Sequence, residues 1–105
     1  MTIHLYCLRG PYPEYYVGKC KNLGRRMAEH RTGNGSKHTK AWKSFEVIET
    51  RKVIVATESE AHFAEAAYAR EMRDRLPGMM VFGPGEHKMP GYYRQNRKKP
   101  GTTFF

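Results

Sequence analysis

The segment YYVGKCKNLGRRMAEH, residues 15–30, begins with the composition of a strand and ends with that of a helix. Its first six residues are rich in aromatic and β-branched side chains, which is typical of a strand. Asn22 is a suitable N-cap, so we predict a helix from Leu23 to about Arg31, where the TGNGS segment ends it. The predicted strand and helix therefore follow each other directly.

The flanking segments predict two further strands and a long helix. IHLYCL (residues 3–8) has the composition of a strand, and the short Pro-rich connection after it favours an antiparallel hairpin with residues 15–20. FEVIETRKVIVA (residues 45–56) contains alternating apolar residues and supplies a third strand. A second helix then begins at a capping box formed by Thr57 and Glu60.

The predicted fold class is α/β (α+β), with a small central three-stranded antiparallel sheet flanked by helices. A chain of 105 residues favours one domain. We expect residues 1–78 to form its core and residues 79–105 to form a basic C-terminal extension that is rich in proline and glycine. Within that extension, residues 79–82 are a candidate edge strand.

The charge of the chain indicates a polyanionic partner. Nineteen Lys and Arg residues against ten Asp and Glu residues give a net charge of +9. An excess of this size points first to nucleic acid and second to an anionic membrane surface. The apolar runs of the sequence are far shorter than the roughly 20 residues that a spanning helix needs, so we expect no membrane span.

The cysteine content and the N-terminal segment indicate an intracellular protein, cytoplasmic or nuclear rather than secreted. Cys7 and Cys20 are too few for a disulfide-stapled scaffold, and we interpret them as free thiols. The N-terminal segment lacks the basic start and the long apolar stretch of a secretory signal. The spacing of the cysteines and histidines fits no common zinc pattern.

The first predicted helix carries two polar residues on the face that meets the sheet. At about 100° per residue, Arg26 and His30 share one side of the helix with Leu23 and Met27. One interpretation is that both belong to a functional site beneath the helix. The alternative is that both lie at the rim, with their stems packed and their polar ends in water.

The second predicted helix places a carboxylate, Glu65, within its apolar stripe. The stripe consists of Ala61, Ala64, Tyr68 and Met72. A buried carboxylate is unfavourable unless it is paired or binds a metal. Two partners stay open for Glu65: Mg²⁺, which takes few protein ligands and keeps several waters, or a salt bridge to Arg26 or another basic residue.

Basic residues are interleaved with aromatic residues and glycines in two clusters, which favours nucleic-acid binding. Gly33, Gly35 and Ser36 lie within the first cluster, where backbone N–H groups can approach a phosphate. The predicted DNA-binding residues are Lys19, Lys21, Arg25, Arg31, Lys37, Lys40, Lys43, Arg94, Arg97, Lys98 and Lys99. Contacts of this kind go to phosphates, so they predict weak sequence preference.

The order of these motifs resembles that of the GIY-YIG nuclease superfamily. HLY (residues 4–6) stands at the first signature tripeptide and keeps its tyrosine, and YVG (residues 16–18) stands at the second. Arg26 follows Tyr16 by ten residues, and His30 follows by four more, a spacing that is familiar from the family.

Two later segments extend the resemblance to about residue 76. HRTGNGSKHTKAW (residues 30–42) is similar to the segment after the first helix in small standalone members. AHFAE (residues 61–65) is similar to the surroundings of the family's metal-binding glutamate. Many members carry an asparagine after the second helix, for which Asn96 is a candidate only because it is late and polar.

The resemblance implies an endonuclease that depends on Mg²⁺ (or Mn²⁺) and hydrolyses phosphodiester bonds. Tyr16 would contact or deprotonate the nucleophile, with His30 as a rival for the base. Arg26 would hold the scissile phosphate, and Tyr6 and His30 would position water or phosphate. Glu65 would bind the metal.

The register of the hairpin decides which tyrosine joins Tyr6. Side chains alternate along a strand, so Tyr15 and Tyr16 face opposite sides of the sheet. The family motif favours Tyr16.

Two alternatives to a nuclease stay open. A non-catalytic nucleic-acid-binding module of the same fold is favoured by the altered first tripeptide. A basic RNA-binding protein unrelated to nucleases would leave Glu65 in its apolar stripe unexplained. For the nuclease, the expected partners are duplex or branched DNA, with a partner protein or a homodimer as candidates for targeting and for paired cuts.

Overall fold

The computed structural model describes residues 1–35, 37–42 and 44–83. The elements in chain order are β1 (Thr2–Arg9), β2 (Glu14–Cys20), α1 (Leu23–Arg31), α2 (Lys37–Lys40), β3 (Glu46–Ile54), α3 (Glu58–Arg75) and β4 (Met80–Phe82). They form the small α+β architecture that the sequence predicts. None of the helices in the described part of the chain combines the length and the apolar composition that a membrane crossing requires.

The sheet is mixed and contains four strands, in the order β3-β1-β2-β4. β1 pairs antiparallel with both β2 and β3, which confirms the predicted hairpin. β4 pairs in parallel with the start of β2, over Glu14 to Tyr16. The prediction of a three-stranded antiparallel sheet is therefore wrong in the number of strands and in the direction of the last one.

The direction of β4 follows from the helical connection before it. β2 and β3 are both antiparallel to β1, so they run in the same direction. A helix that carries the chain back along a sheet delivers the next strand parallel to the one it left, and α3 does this between β3 and β4. Residues 80–82, within the predicted C-terminal extension, thus add to the sheet, whereas residues 84–105 lie outside the described part.

The two longer helices begin at the predicted caps. The Asn22 side chain accepts a hydrogen bond from the Arg25 N–H at 2.9 Å, and the Thr57 hydroxyl accepts one from the Glu60 N–H at 3.1 Å. The Glu60 carboxylate in turn accepts the Ala56 N–H at 2.7 Å. The caps satisfy N–H groups that the first turn of a helix leaves unpaired.

Alternation along the strands divides the core between the two faces of the sheet. The face covered by α3 buries Ile3, Leu5, Cys7 and Val17 against Ala61, Tyr68, Ala69 and Met72. The opposite face buries Tyr6, Leu8, Tyr16, Met27 and Trp42. The second face therefore holds both motif tyrosines beneath α1.

Candidate active site

Tyr6 and Tyr16 lie on the same face of the sheet. In the β1–β2 pairing, Tyr6 stands opposite Gly18, and Tyr16 stands opposite Leu8. Both rings are buried, and their centroids are 6.3 Å apart. Tyr15 packs instead against the cluster on the α3 face. The register thus places Tyr16 beside Tyr6, as the motif predicts.

Gly18 allows the Tyr6 ring to lie directly over β2. A Cβ atom at this position would overlap the Tyr6 hydroxyl and would lie 2.6 Å from the ring carbon Cζ. Since packed atoms do not approach so closely, a side chain at residue 18 would displace the ring. The glycine of the second motif is therefore required by the tyrosine of the first.

His30 is a buried member of the site, so the interpretation that it lies at the rim is wrong. Only 3% of the residue is exposed. Its Nε2 atom lies 2.8 Å from the Tyr6 hydroxyl, and its Nδ1 atom lies 2.7 Å from Thr39 Oγ1. Burial, helped by the positive charge of Arg26, lowers the pKa of His30 to about 4. The imidazole is therefore neutral at neutral pH.

Arg26 is the solvent-side member of the same group, with 29% of its side chain exposed. Its Nε donates a hydrogen bond to the Tyr6 hydroxyl at 3.3 Å, and its guanidinium donates another to Glu29 at 2.9 Å. Burial opposes the charged form, but these two hydrogen bonds raise the pKa of Arg26 above its usual value. The hydrogen bond from Arg26 is also the main cause of the lowered pKa of Glu29.

The Tyr6 hydroxyl is the junction of this network, because it meets both Arg26 and His30. Burial raises the pKa of Tyr6 well above its ordinary value, although the hydrogen bond from Arg26 opposes that effect. The hydroxyl therefore keeps its hydrogen at neutral pH while its oxygen accepts the Arg26 N–H.

Glu65 lies in the buried stripe of α3, as predicted, with only 3% of the residue exposed. Burial raises the pKa of its carboxyl group, and the positive charges of Lys19 and Arg26 oppose that effect. Among the described residues, the carboxylate has no ion pair and no side-chain hydrogen bond. The alternative of a salt bridge to Arg26 is not observed, since Arg26 pairs with Glu29.

Comparison with known proteins identifies the family to which this arrangement belongs. The family model described as the GIY-YIG catalytic domain matches residues 4–76. This chain belongs to the GIY-YIG family. The matched range contains the positions of the predicted catalytic set, which are Tyr6, Tyr16, Arg26, His30 and Glu65.

The curated relatives of this GIY-YIG chain are of two kinds. A UPF0213 protein of Streptococcus pneumoniae (strain ATCC BAA-255 / R6) is 33% identical over 70 residues, which cover 67% of this chain and 69% of that protein. A UPF0213 protein of Oceanobacillus iheyensis is 36% identical over 56 residues, covering 53% and 65%. The UvrABC system protein C of Brucella abortus (strain 2308) is 27% identical over 99 residues, which cover 85% of this chain but only 16% of that protein. No solved structure gives a significant match.

Glu65 is the carboxylate that a divalent cation would use in the GIY-YIG site. In the described ranges, no group of three or more His, Cys, Asp or Glu residues could hold a metal ion. Mg²⁺, however, is commonly held by one or two carboxylates and keeps several waters. Glu65 is a hard oxygen donor without an ion pair to a described residue, so it fits a cation whose remaining ligands are water and phosphate oxygens.

The predicted DNA-binding residues that the structure describes lie on or beside β2, α1 and α2. They are Lys19 and Lys21 around the end of β2, Arg25 and Arg31 on α1, and Lys40 on α2. All except Lys19, which is half-buried, are exposed. The predictions for Lys37, Lys43, Arg94, Arg97, Lys98 and Lys99, and the candidate Asn96, concern side chains outside the described part.

Thr39 belongs to the site, and the sequence interpretation missed it. It is 1% exposed and reaches His30 from α2. A separation of nine residues matches neither helix nor strand periodicity, so this contact depends on how the loop after α1 folds back. The available signal was its place in HRTGNGSKHTKAW, the segment that resembles small family members.

Proposed function

We propose that this GIY-YIG protein is a metal-dependent endonuclease that hydrolyses phosphodiester bonds in DNA, with a preference set by DNA structure or by weak sequence recognition. The observation that carries the proposal is the hydrogen-bonded group of Arg26, Tyr6 and His30 within a matched GIY-YIG catalytic domain. Exposed basic side chains on α1 and α2 support a polyanionic substrate.

Arg26 is the residue that we assign to the scissile phosphate. A charged guanidinium can hold phosphate oxygens with two parallel N–H donors. In the free protein the Glu29 carboxylate accepts a hydrogen bond from this guanidinium at 2.9 Å. A bound phosphate therefore has to replace the Glu29 carboxylate. The Glu29 side chain is 35% exposed and can turn into solvent when substrate binds.

Tyr6 and His30 form the pair that we assign to the proton of the attacking water. The 3.3 Å bond from Arg26 to Tyr6 is long, so a phosphate that draws Arg26 outward frees the Tyr6 oxygen. Tyr6 then takes a proton from water while it passes its own to Nε2 of the neutral His30, and no free phenolate is needed. The negative charge of the bound phosphate favours the imidazolium that results.

The 2.8 Å hydrogen bond between Tyr6 and Nε2 supports His30, the rival for the base. The Tyr16 ring lies edge-on to the His30 ring, with the centroids 5.6 Å apart, and we assign it to holding that ring in place.

Glu65 is the residue that we assign to Mg²⁺ or Mn²⁺, which when bound would stabilise negative charge on the leaving oxygen. A cation held by one carboxylate binds weakly until phosphate oxygens complete its shell. Since burial raises the pKa of the Glu65 carboxyl, protons compete with the cation as the pH falls.

The proposal is tested with purified protein on supercoiled plasmid and on branched and flapped DNA, in Mg²⁺, Mn²⁺ or EDTA. We expect nicking that EDTA abolishes. Arg26→Ala should abolish cleavage and leave much of the DNA affinity, because many other Lys and Arg contact phosphates. Arg25→Ala changes the exposed neighbour on α1 and is the matched control, which should still cut.

The outcomes separate the candidate functions. Salt-sensitive DNA binding without cleavage of any substrate would contradict the nuclease proposal and favour a non-catalytic nucleic-acid-binding module. Cleavage by Arg26→Ala at the wild-type rate would contradict the assignment of Arg26 to the scissile phosphate but not the nuclease function.

A further inference from the structure

The side of His30 that faces away from Tyr6 is held by a second hydroxyl group. Thr39 Oγ1 lies 2.7 Å from Nδ1, whereas the Tyr6 hydroxyl lies 2.8 Å from Nε2. Thr39 is 1% exposed and His30 is 3% exposed, so bulk water does not compete for either group. Each ring nitrogen therefore has a defined partner in the protein.

The hydrogen bonds of Tyr6 determine which nitrogen of His30 carries the hydrogen. The Tyr6 oxygen accepts the N–H of Arg26 Nε at 3.3 Å. Since the Tyr6 side chain is fully buried, its own hydrogen goes to His30 Nε2. Nε2 is then unprotonated, and a neutral imidazole carries its one hydrogen on Nδ1, where Thr39 accepts it.

The surroundings of the imidazole prevent its rotation. Gly35, in the loop after α1, packs so closely that a Cβ atom there would overlap Nδ1. The rings of Tyr6 and Tyr16 lie edge-on to the imidazole with centroid distances of 5.6 Å, and the Phe45 ring does so at 6.1 Å. The two nitrogens therefore cannot exchange places by a turn of the ring.

We infer that Thr39 is a positioning residue that fixes His30 in the tautomer with its hydrogen on Nδ1 and keeps Nε2 able to accept the Tyr6 hydrogen. The other tautomer would present an N–H to Tyr6 and could not take that hydrogen. The tautomer is a property of the free protein, and only its consequence for cleavage rests on the proposed nuclease function.

The tautomer is measured by long-range ¹⁵N–¹H correlation NMR on the full chain at pH 7. The His30 signals are assigned by their loss in His30→Gln. In the wild type we expect a protonated, pyrrole-like nitrogen at Nδ1 and an unprotonated, pyridine-like nitrogen at Nε2. A wild-type spectrum with the hydrogen on Nε2 overturns the inference without any variant of Thr39.

Three variants separate the hydroxyl from its packing. Thr39→Ser keeps the acceptor and should keep the tautomer. Thr39→Val keeps the shape but removes the acceptor, so the hydrogen should shift toward Nε2. Thr50→Val, at an exposed strand position, is the control and should leave His30 unchanged. An unchanged tautomer in folded Thr39→Val would overturn the inference.

The cleavage assay tests the consequence for catalysis. Thr39→Val should lower kcat by about 10- to 100-fold with little change in KM, since general-base catalysis contributes about 10²- to 10⁴-fold. Thr39→Ser should recover most of that loss, whereas equal losses in both variants would contradict the positioning role. If the wild type shows the expected tautomer but cuts no DNA, the nuclease proposal fails and the inference about Thr39 stands.

Discussion

At the scale of single residues, burial sets the chemistry of the site. Burial lowers the pKa of His30 to about 4, and it raises the pKa values of Tyr6 and Glu65. In each case the charged form is disfavoured because water is excluded from the group. Tyr6 and His30 are therefore both neutral at pH 7, which is the state in which a hydrogen can pass from one to the other.

The lowered pKa of His30 predicts an acid sensitivity of the fold. The pKa is about 4 in the folded protein and 6.5 in an exposed histidine, so the unfolded chain binds more protons between these values. The stability that neutral His30 contributes is present above about pH 6.5 and is lost as the pH falls toward 4. Urea titrations at pH 7 and pH 5 should show a larger fall in unfolding free energy for the wild type than for His30→Gln.

The comparison with the variant is needed because Glu65 acts in the opposite sense. Its raised pKa favours the fold at low pH, and this contribution is the same in wild type and His30→Gln. His62→Gln, on α3, is the control and should follow the wild type. Equal pH dependence in the wild type and His30→Gln would contradict the lowered pKa.

Helical periodicity was sufficient to predict the inward placement of His30 and Glu65. A side chain's face on a helix follows from its spacing to the apolar residues, and both spacings were readable in the sequence. Thr39 could not be found in this way, because its contact with His30 is made across a loop. The simultaneous hydrogen bonds of Arg26 to Tyr6 and Glu29 were likewise not predictable, since they depend on distances that no sequence period fixes.

At the scale of elements, the pairing of β1 with β2 positions the two motif tyrosines of the site. Tyr6 stands opposite Gly18 in this pairing, and the absence of a side chain at Gly18 lets the Tyr6 hydroxyl reach Arg26 and His30. The β1–β2 register thus brings the two signature tripeptides into contact, although they are separated in the sequence.

Gly18→Ala should therefore damage both the fold and the site. Overpacking against the Tyr6 ring is expected to cost about 1–3 kcal/mol of unfolding free energy. The displaced hydroxyl should also lower cleavage. Gly24→Ala is the matched control: a Cβ there meets only the Asn22 side chain at 3.8 Å, and alanine in a helix gains about 0.5–1 kcal/mol over glycine. Thermal unfolding and the plasmid assay measure both effects, and an unperturbed Gly18→Ala would contradict the close approach.

The three longer strands could be predicted from their composition, whereas the last could be predicted only as a candidate edge strand, without its direction. β1, β2 and β3 are seven to nine residues long and have strand composition in the sequence. β4 has three residues, which show no alternation, and its direction is set by the crossover through α3 rather than by its own side chains. The number of strands and the direction of β4 therefore depend on how α3 connects β3 to β4, which local sequence does not show.

At the scale of the whole molecule, the proposed site combines groups from elements on both faces of the sheet. Arg26 lies on α1, and Glu65 lies on α3 across the sheet. The charges of Arg26 and of Lys19 on β2 nevertheless act on the Glu65 carboxyl. This electrostatic effect depends on how both helices pack on the sheet, so it could not be predicted from either helix alone.

We propose that Glu65, Arg26, Tyr6 and His30 form one metal-dependent nuclease site. The measurement that tests it most directly is the rate of plasmid nicking across a Mg²⁺ titration for wild type, Glu65→Gln and the control Glu58→Gln. Glu58 is exposed in the first turn of the same helix, and its Oε2 atom lies 3.6 Å from Lys21 Nζ. The Glu58→Gln variant should cut like the wild type.

Glu65→Gln preserves the size of the side chain and removes its charge, so it should fold while nicking falls by at least about 100-fold, as expected when several kcal/mol of metal-ion stabilisation is lost. Thermal unfolding of the same samples verifies the fold. Metal-dependent nicking that is lost only in Glu65→Gln is the result we predict. Nicking by folded Glu65→Gln at the wild-type rate and with the same Mg²⁺ dependence would contradict the claim.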